Sequence, residues 1–279
     1  MTVQGAGPVT VQGAGPVTVH GEGFVTASGG GHVTASGGGR VTSASGVLRA
    51  TISLAAPALL AASARLWRAD DLERRYPEYL RVMHAVIRAT VPLLVAARDR
   101  SHERGEARLA DYFDEHAREE AGHDEWLKED LAVIGRSTAV TPPPLVAELV
   151  GAQYYWVLHH HPVSLLGYIA VMEGHPPTAS LIAHLERLTG YPRAAFRTMR
   201  VHAEADIGHR AAVDALLDRL APDPAACLAL RISALHSMRT STELLRGLAG
   251  EAATIPARYR FAGGSSQNRR HGAETKTNR

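Results

Sequence analysis

The sequence predicts an all-α protein, a bundle of about seven or eight helices, and three observations predict it. After about residue 50, apolar side chains recur at helical spacing, prolines and glycines punctuate those stretches, and no alternating strand pattern appears. "YPEYLRVMHAVIRATVPLLVAARDR" sets Tyr79, Val82, Met83, Val86, Ile87, Thr90 and Leu94 at helical spacing. Pro92 lacks an amide hydrogen and is expected to bend that helix or mark its break. The stretch from Gly105 to Gly135 reads as one long helix with a glycine stop. "TPPPLVAELVGAQYYWVLHH" opens on a proline cluster, a favoured helix entry, and "PVSLLGYIAVMEG" is a short, very apolar helix. "ASLIAHLERLTG" ends at Gly190, "YPRAAFRTMRVHAEADIGHRAAVDALLDRLA" is closed by "PDP", and "AACLALRISALHSMRTSTELLRGLAG" is the last helix.

Ahead of this region, Thr2 to Val41 is a tandem octad: "TVQGAGPV" twice, then "TVHGEGFV", "TASGGGHV" and "TASGGGRV". With two or three glycines per unit it has almost nothing to bury, so residues 1–50 read as a flexible leader. A short glycine-rich solenoid or a partner-binding surface is the alternative. Residues 51–250 then form the helical domain, and 251–279 a solvated basic tail.

Bulk properties exclude several classes. The 279 residues are 45% hydrophobic, enough for a sizeable core, and carry a net charge of only +2, so no nucleic-acid partner is expected. One cysteine, Cys227, makes no intrachain disulfide. No apolar run is expected to span a bilayer and no secretory leader is evident, so the chain is expected to be cytoplasmic and free of the membrane. A homodimer is compatible with this composition.

The fifteen histidines are the unusual feature. "HAREEAGHDEW" holds His116, Glu119, Glu120 and His123, with Glu120 and His123 three apart. "HAEADIGHR" holds His202, Asp206 and His209, with Asp206 and His209 again three apart. A carboxylate and an imidazole at i, i+3 share a helix face and can reach one metal cluster, as on two helices of bundle-type di-iron proteins. Glu173 lies in an otherwise apolar helix, where a lone carboxylate is costly unless it binds a metal or pairs, or unless it ends the helix in water beside Gly174. Read singly, each histidine helix also fits a solvated face of ordinary charge pairs. Together the three favour a metal site. Mixed imidazole and carboxylate donors suit iron or manganese, and the absence of cysteine donors argues against structural zinc.

These residues carry a resemblance. "REEAGHDEWLKEDLAVIG", "AQYYWVLHHHPVSLLGYIAVMEG" and "HAEADIGHR" resemble the heme-oxygenase-like di-iron oxidases and oxygenases, also called iron-containing redox enzymes, over about Tyr76 to Gly247. The resemblance implies a heme-oxygenase-like fold and one or two ferrous ions, held by Glu120, His123, Glu173, His202, Asp206 and His209. It implies dioxygen and a small amino-acid-, amine- or fatty-acid-like substrate, with an external reductant in some cases. The chain departs from the family at one point. The glutamate expected from the first core helix is absent between Tyr79 and Arg98, and near the expected place stands Val95. His116 or Glu119, at i−7 or i−4 from His123, are the substitutes at hand. A non-catalytic helical binding protein on the same fold is therefore the second expectation. A thiaminase-like hydrolase is a third, though its cysteine nucleophile has no counterpart in the motif helices.

Tyr154, Tyr168, Met172 and Met199 are candidates for an apolar substrate pocket, although Tyr154, Tyr155 and Trp156 fit an aromatic core equally well. His159, His160 and His161 read as helix-end histidines in water or as a substrate entrance.

Overall fold

The computed structural model describes residues 43–251. The octad repeats and the basic tail from residue 252 on, read above as flexible, lie outside the described residues. Within them there are ten α-helices and two 3₁₀ turns: α1 (Ala44–Trp67), α2 (Leu72–Ile87), α3 (Thr90–Glu103), α4 (Ala107–Glu119), α5 (His123–Val133), α6 (Pro144–His159), α7 (Leu165–Met172), α8 (Ala179–Thr189), α9 (Arg197–Leu220) and α10 (Pro224–Leu248). No strand is present among the described residues.

The larger count has three local causes. Helix α1 begins at Ala44, ahead of the expected boundary at 51, because Ser43 caps it by accepting from Gly46 N–H at 3.1 Å. The first long helix parts at Arg88–Ala89 into α2 and α3. Pro92 cannot donate back to the Arg88 carbonyl, so the ladder stops there and Pro92 sits in the first turn of a new helix. The second long helix parts between Glu119 and His123, where Gly122 adopts φ +87°, a left-handed conformation that favours glycine.

Other boundaries follow the signals in the sequence. Pro144 and Pro224 open α6 and α10, Gly190 closes α8 at φ +66°, and Thr178 and Asp223 cap α8 and α10 through Leu181 N–H and Ala226 N–H. Helix α10 is the central strut, packed against α1, α6 and α7. Its approach to α7 requires Gly167, where a Cβ would lie 2.3 Å from the Leu230 carbonyl oxygen. The core divides into a large cluster around Leu94, Phe113, Val157, Leu166 and Leu217 and a smaller one around Tyr76, Leu131, Leu185 and Phe196. In the smaller cluster Tyr76 stacks on Phe196 at 4.5 Å and its hydroxyl donates to the Ala195 carbonyl at 2.8 Å. Helix α9 runs between the clusters and touches α1, α4, α5, α7 and α8, so its histidine face is enclosed on several sides.

One expectation needs correction. Helix α1 and the stretch Leu72–Glu103 are long and apolar enough, by length and composition, to cross a membrane. Both pack within the bundle, however, and the second is two helices. Helix α1 packs on α10 and α2 on α5, while 28% and 39% of the two apolar windows are buried.

Candidate metal centre

Helices α4, α5 and α7 converge on the histidine face of α9. Asp130 on α5 is 1% exposed and accepts from the N–H groups of Arg197 and Thr198 at 3.3 and 3.0 Å. This caps the start of α9 and fixes it against α5. One turn on, His202 Nδ1 lies 2.9 Å from the Thr198 carbonyl oxygen. A carbonyl only accepts, so Nδ1 carries the proton and Nε2 is left with its lone pair, the form that binds a metal. The break between α4 and α5 leaves Glu120 at the end of one helix and His123 at the start of the next, with His123 Nδ1 3.1 Å from Glu120 Oε2. Helix α7 ends at Glu173, whose amide closes the last turn on the Ile169 carbonyl.

Among the described residues, two groups of side chains hold their ligand atoms within 4.8 Å of one another: His116, Glu120, Glu173 and His209, and Glu120, His123 and His202. Glu120 belongs to both. In the first group His116 Nε2 lies 2.9 Å from Glu173 Oε1, and His209 Nδ1 lies 3.2 Å from Glu173 Oε2. The rings of His116 and His209 meet edge to face at 4.9 Å, as those of His123 and His202 do at 5.1 Å. His116, Glu120 and His123 are buried, and the Glu173 and His209 side chains are only 13% and 16% exposed.

Asp206 stands in neither group. It is 4% exposed, and its Oδ1 has no hydrogen-bond partner. Burial, then the neighbouring Glu173 carboxylate, pushes its acid up to about 7. Glu173 goes the other way: burial opposes its ionisation, but His116 and His209 outweigh that and hold it below the usual range. Glu173 in turn raises His209 to about 9.

The donor set fits a cation. Asp206 Oδ1 is buried without a hydrogen-bond partner, and Glu173 Oε2 and His209 Nδ1 face only each other, at 3.2 Å. Ligands about 2.0–2.2 Å from one ion sit roughly 3–4 Å from each other, close to the spacing here. Four imidazoles with two or three carboxylates and no thiolate is a donor set for iron or manganese.

Each expected residue can now be placed. Glu120, His123, Glu173, His202 and His209 are brought together, Asp206 lies buried beside them, and Glu173 is both a helix end and a member of the cluster. Of the two substitutes, His116 is inside the first group, whereas Glu119 is 45% exposed and reaches only His116 and His209, at 3.4 and 3.5 Å. No carboxylate of α3 enters either group. His116 and Glu120 are four apart on α4, a spacing legible in the sequence, but the break after Glu119 that admits His123 to the same site was not.

Tyr168 and Met199 are buried, and Tyr154 and Met172 are packed against the large core. Two aromatic contacts escaped the sequence reading: Tyr112 stacks on His116 at 5.6 Å, and Trp126 on His123 at 4.2 Å with Arg197 over its ring. His161 is not at an entrance: its Nδ1 accepts from Val163 N–H and its Nε2 pairs with Glu106 at 3.1 Å, which ties the end of α6 to the start of α4. A cleft of about 80 Å³ opens on the α1 side, with Leu48, Ile52, Ala170 and Val213 as its apolar wall and Arg49, His175 and Arg210 as its basic groups. Two of its lining residues, Gly174 and Arg210, are chain neighbours of Glu173 and His209.

Comparison with known proteins agrees with this geometry. A domain of unknown function with a heme oxygenase-like fold from Shewanella denitrificans OS217 is similar at a TM-score of 0.62 and 15% identity, over 72% of this chain and 90% of that one. A TenA homolog from Pseudomonas syringae pv. tomato str. DC3000 is similar at a TM-score of 0.52 and 13% identity, over 76% of this chain and 97% of that one. At such identities the likeness establishes the fold, which is heme oxygenase-like. No curated protein matches the chain. A family model described as iron-containing redox enzyme matches residues 77–241, which include every residue of both donor groups, and the chain belongs to that family.

Proposed function

We propose that the protein is a non-heme iron oxidase or oxygenase that holds two ferrous ions and uses dioxygen on a small substrate. The observation that supports this most is the pair of donor groups sharing Glu120, with the unpartnered Asp206 Oδ1 buried beside them. Glu120, His123 and His202 hold one ion. His116, Glu120, Glu173 and His209 hold the other, with Asp206 the nearest further carboxylate. Iron there supplies the one-electron chemistry that dioxygen activation needs. The chain's own residues do the rest. Thr198 fixes the His202 tautomer, Glu173 orients His116 and His209, and the enclosing helices keep bulk water from the donors.

The cleft on the α1 side is small, about 80 Å³, and supports a compact substrate with a short apolar part and an anionic group, amino-acid-like in kind. Asp214 already neutralises Arg49 at 2.9 Å, which leaves Arg210 as the cation that meets the anion, while burial and Arg210 hold His175 below its usual range, as a neutral donor. An external reductant returning iron to the ferrous state, action in the cytoplasm and manganese as an alternative metal are consistent with this reading. That no α3 carboxylate enters either donor group favours a second reading, a binding protein on the same fold that holds iron without turning over.

Oxygen uptake after anaerobic ferrous loading separates the two. Iron-dependent uptake is expected in the wild type, reduced about 10–100-fold in His202→Ala. Iron retained without uptake selects the binding protein. Uptake equal in wild type and variant contradicts the oxidase.

A further inference from the structure

One buried polar atom beside the site belongs to none of the donor residues. The Tyr112 hydroxyl oxygen is buried and has no hydrogen-bond partner. Tyr112 lies on α4 one turn before His116, and its ring stacks nearly parallel on that imidazole, 12° from coplanar at 5.6 Å. The group therefore lies against a donor residue of the four-membered position. A buried hydroxyl without a hydrogen bond is unfavourable, so it calls for an acceptor from outside the chain.

The environment narrows what that acceptor is. A phenol ordinarily keeps its proton at neutral pH, so the hydroxyl has a hydrogen to give. Tyr112 gives it to none of its protein neighbours, His116, Glu119, Glu120 and Glu173 included.

We infer that Tyr112 donates its hydroxyl hydrogen to the non-protein ligand, a water or small anion, that completes the position formed by His116, Glu120, Glu173 and His209. This rests on the metal reading above. Tyr112 would select and orient that ligand, and the protein carries the donor before the ligand arrives.

Anaerobic cobalt(II) titration followed by azide titration tests it in the full chain, with azide as the small anion and the cobalt spectrum as the readout. Tyr112→Phe removes one oxygen and leaves the stacked ring in place. The expected result is an unchanged cobalt count with azide bound about 10-fold more weakly, the size of one hydrogen bond to an anion. Equal azide affinity at equal cobalt count overturns the inference. So does loss of cobalt from a variant that still melts cooperatively, since Tyr112 would then be a ligand or a support. A wild type that binds no cobalt sinks the metal reading itself, and the cobalt count tells that failure from a failure at Tyr112 alone.

Discussion

Asp206 shows how the site trades stability for binding. A carboxylate held 4% exposed, with an unpartnered oxygen, is ionised at a cost at pH 8. Replacing it with the neutral isostere removes that cost, so Asp206→Asn is expected to raise the melting temperature of the metal-free protein by about 3–6 °C. The same change is expected to weaken metal binding about 10-fold. Calorimetry on chelated protein together with a metal titration checks both, and a lower melting temperature without metal contradicts the account. At this scale the sequence was informative where spacing carries meaning: Glu120 with His123 and Asp206 with His209 were legible as carboxylate-x-x-His patterns, and His202 as the histidine one turn before Asp206. His116 was only a fallback, because a histidine four residues before a glutamate is common on solvated faces. Tyr112 was invisible, since an aromatic residue on the apolar face of α4 reads as core.

Breaks, more than helices, position the donors. Had Gly105 to Gly135 formed one straight helix, Glu120 and His123 would share a face at fixed spacing. The left-handed Gly122 instead starts α5 at His123 with a new direction. A β-carbon there meets no neighbour, so the cost of Gly122→Ala is conformational, about 1–2 kcal/mol. The variant is expected to melt about 2–6 °C lower and to lose metal affinity chiefly at the Glu120, His123, His202 position. An unchanged melting temperature and unchanged metal binding would mean that the turn is incidental. The glycine was visible in the sequence, but glycine inside a helical pattern is often tolerated, and only tertiary packing decides whether it stops the helix. The Arg88–Ala89 break was more legible, because a proline has one hydrogen-bond consequence wherever it falls. Helix α1 was missed for the opposite reason: it borders the glycine-rich repeats and is nearly uniform in alanine and leucine, with little periodicity to read.

For the whole molecule, the all-α class and the convergence of α4, α5, α7 and α9 were legible because helix punctuation and donor spacing both survive in the sequence. The way two donor groups share Glu120 was not, since it depends on packing between helices distant along the chain. That sharing is the central claim, and metal stoichiometry tests it most directly. Equilibrium dialysis against ferrous iron under anaerobic conditions, on wild type, His209→Ala, His123→Ala and Glu120→Ala, reads each position separately. About two ions per chain are expected in the wild type, about one in each histidine variant and nearly none in Glu120→Ala, given that losing a ligand typically costs 10-fold or more in affinity. A wild type that binds no iron, or a Glu120→Ala variant that retains as much as either histidine variant, would contradict the account.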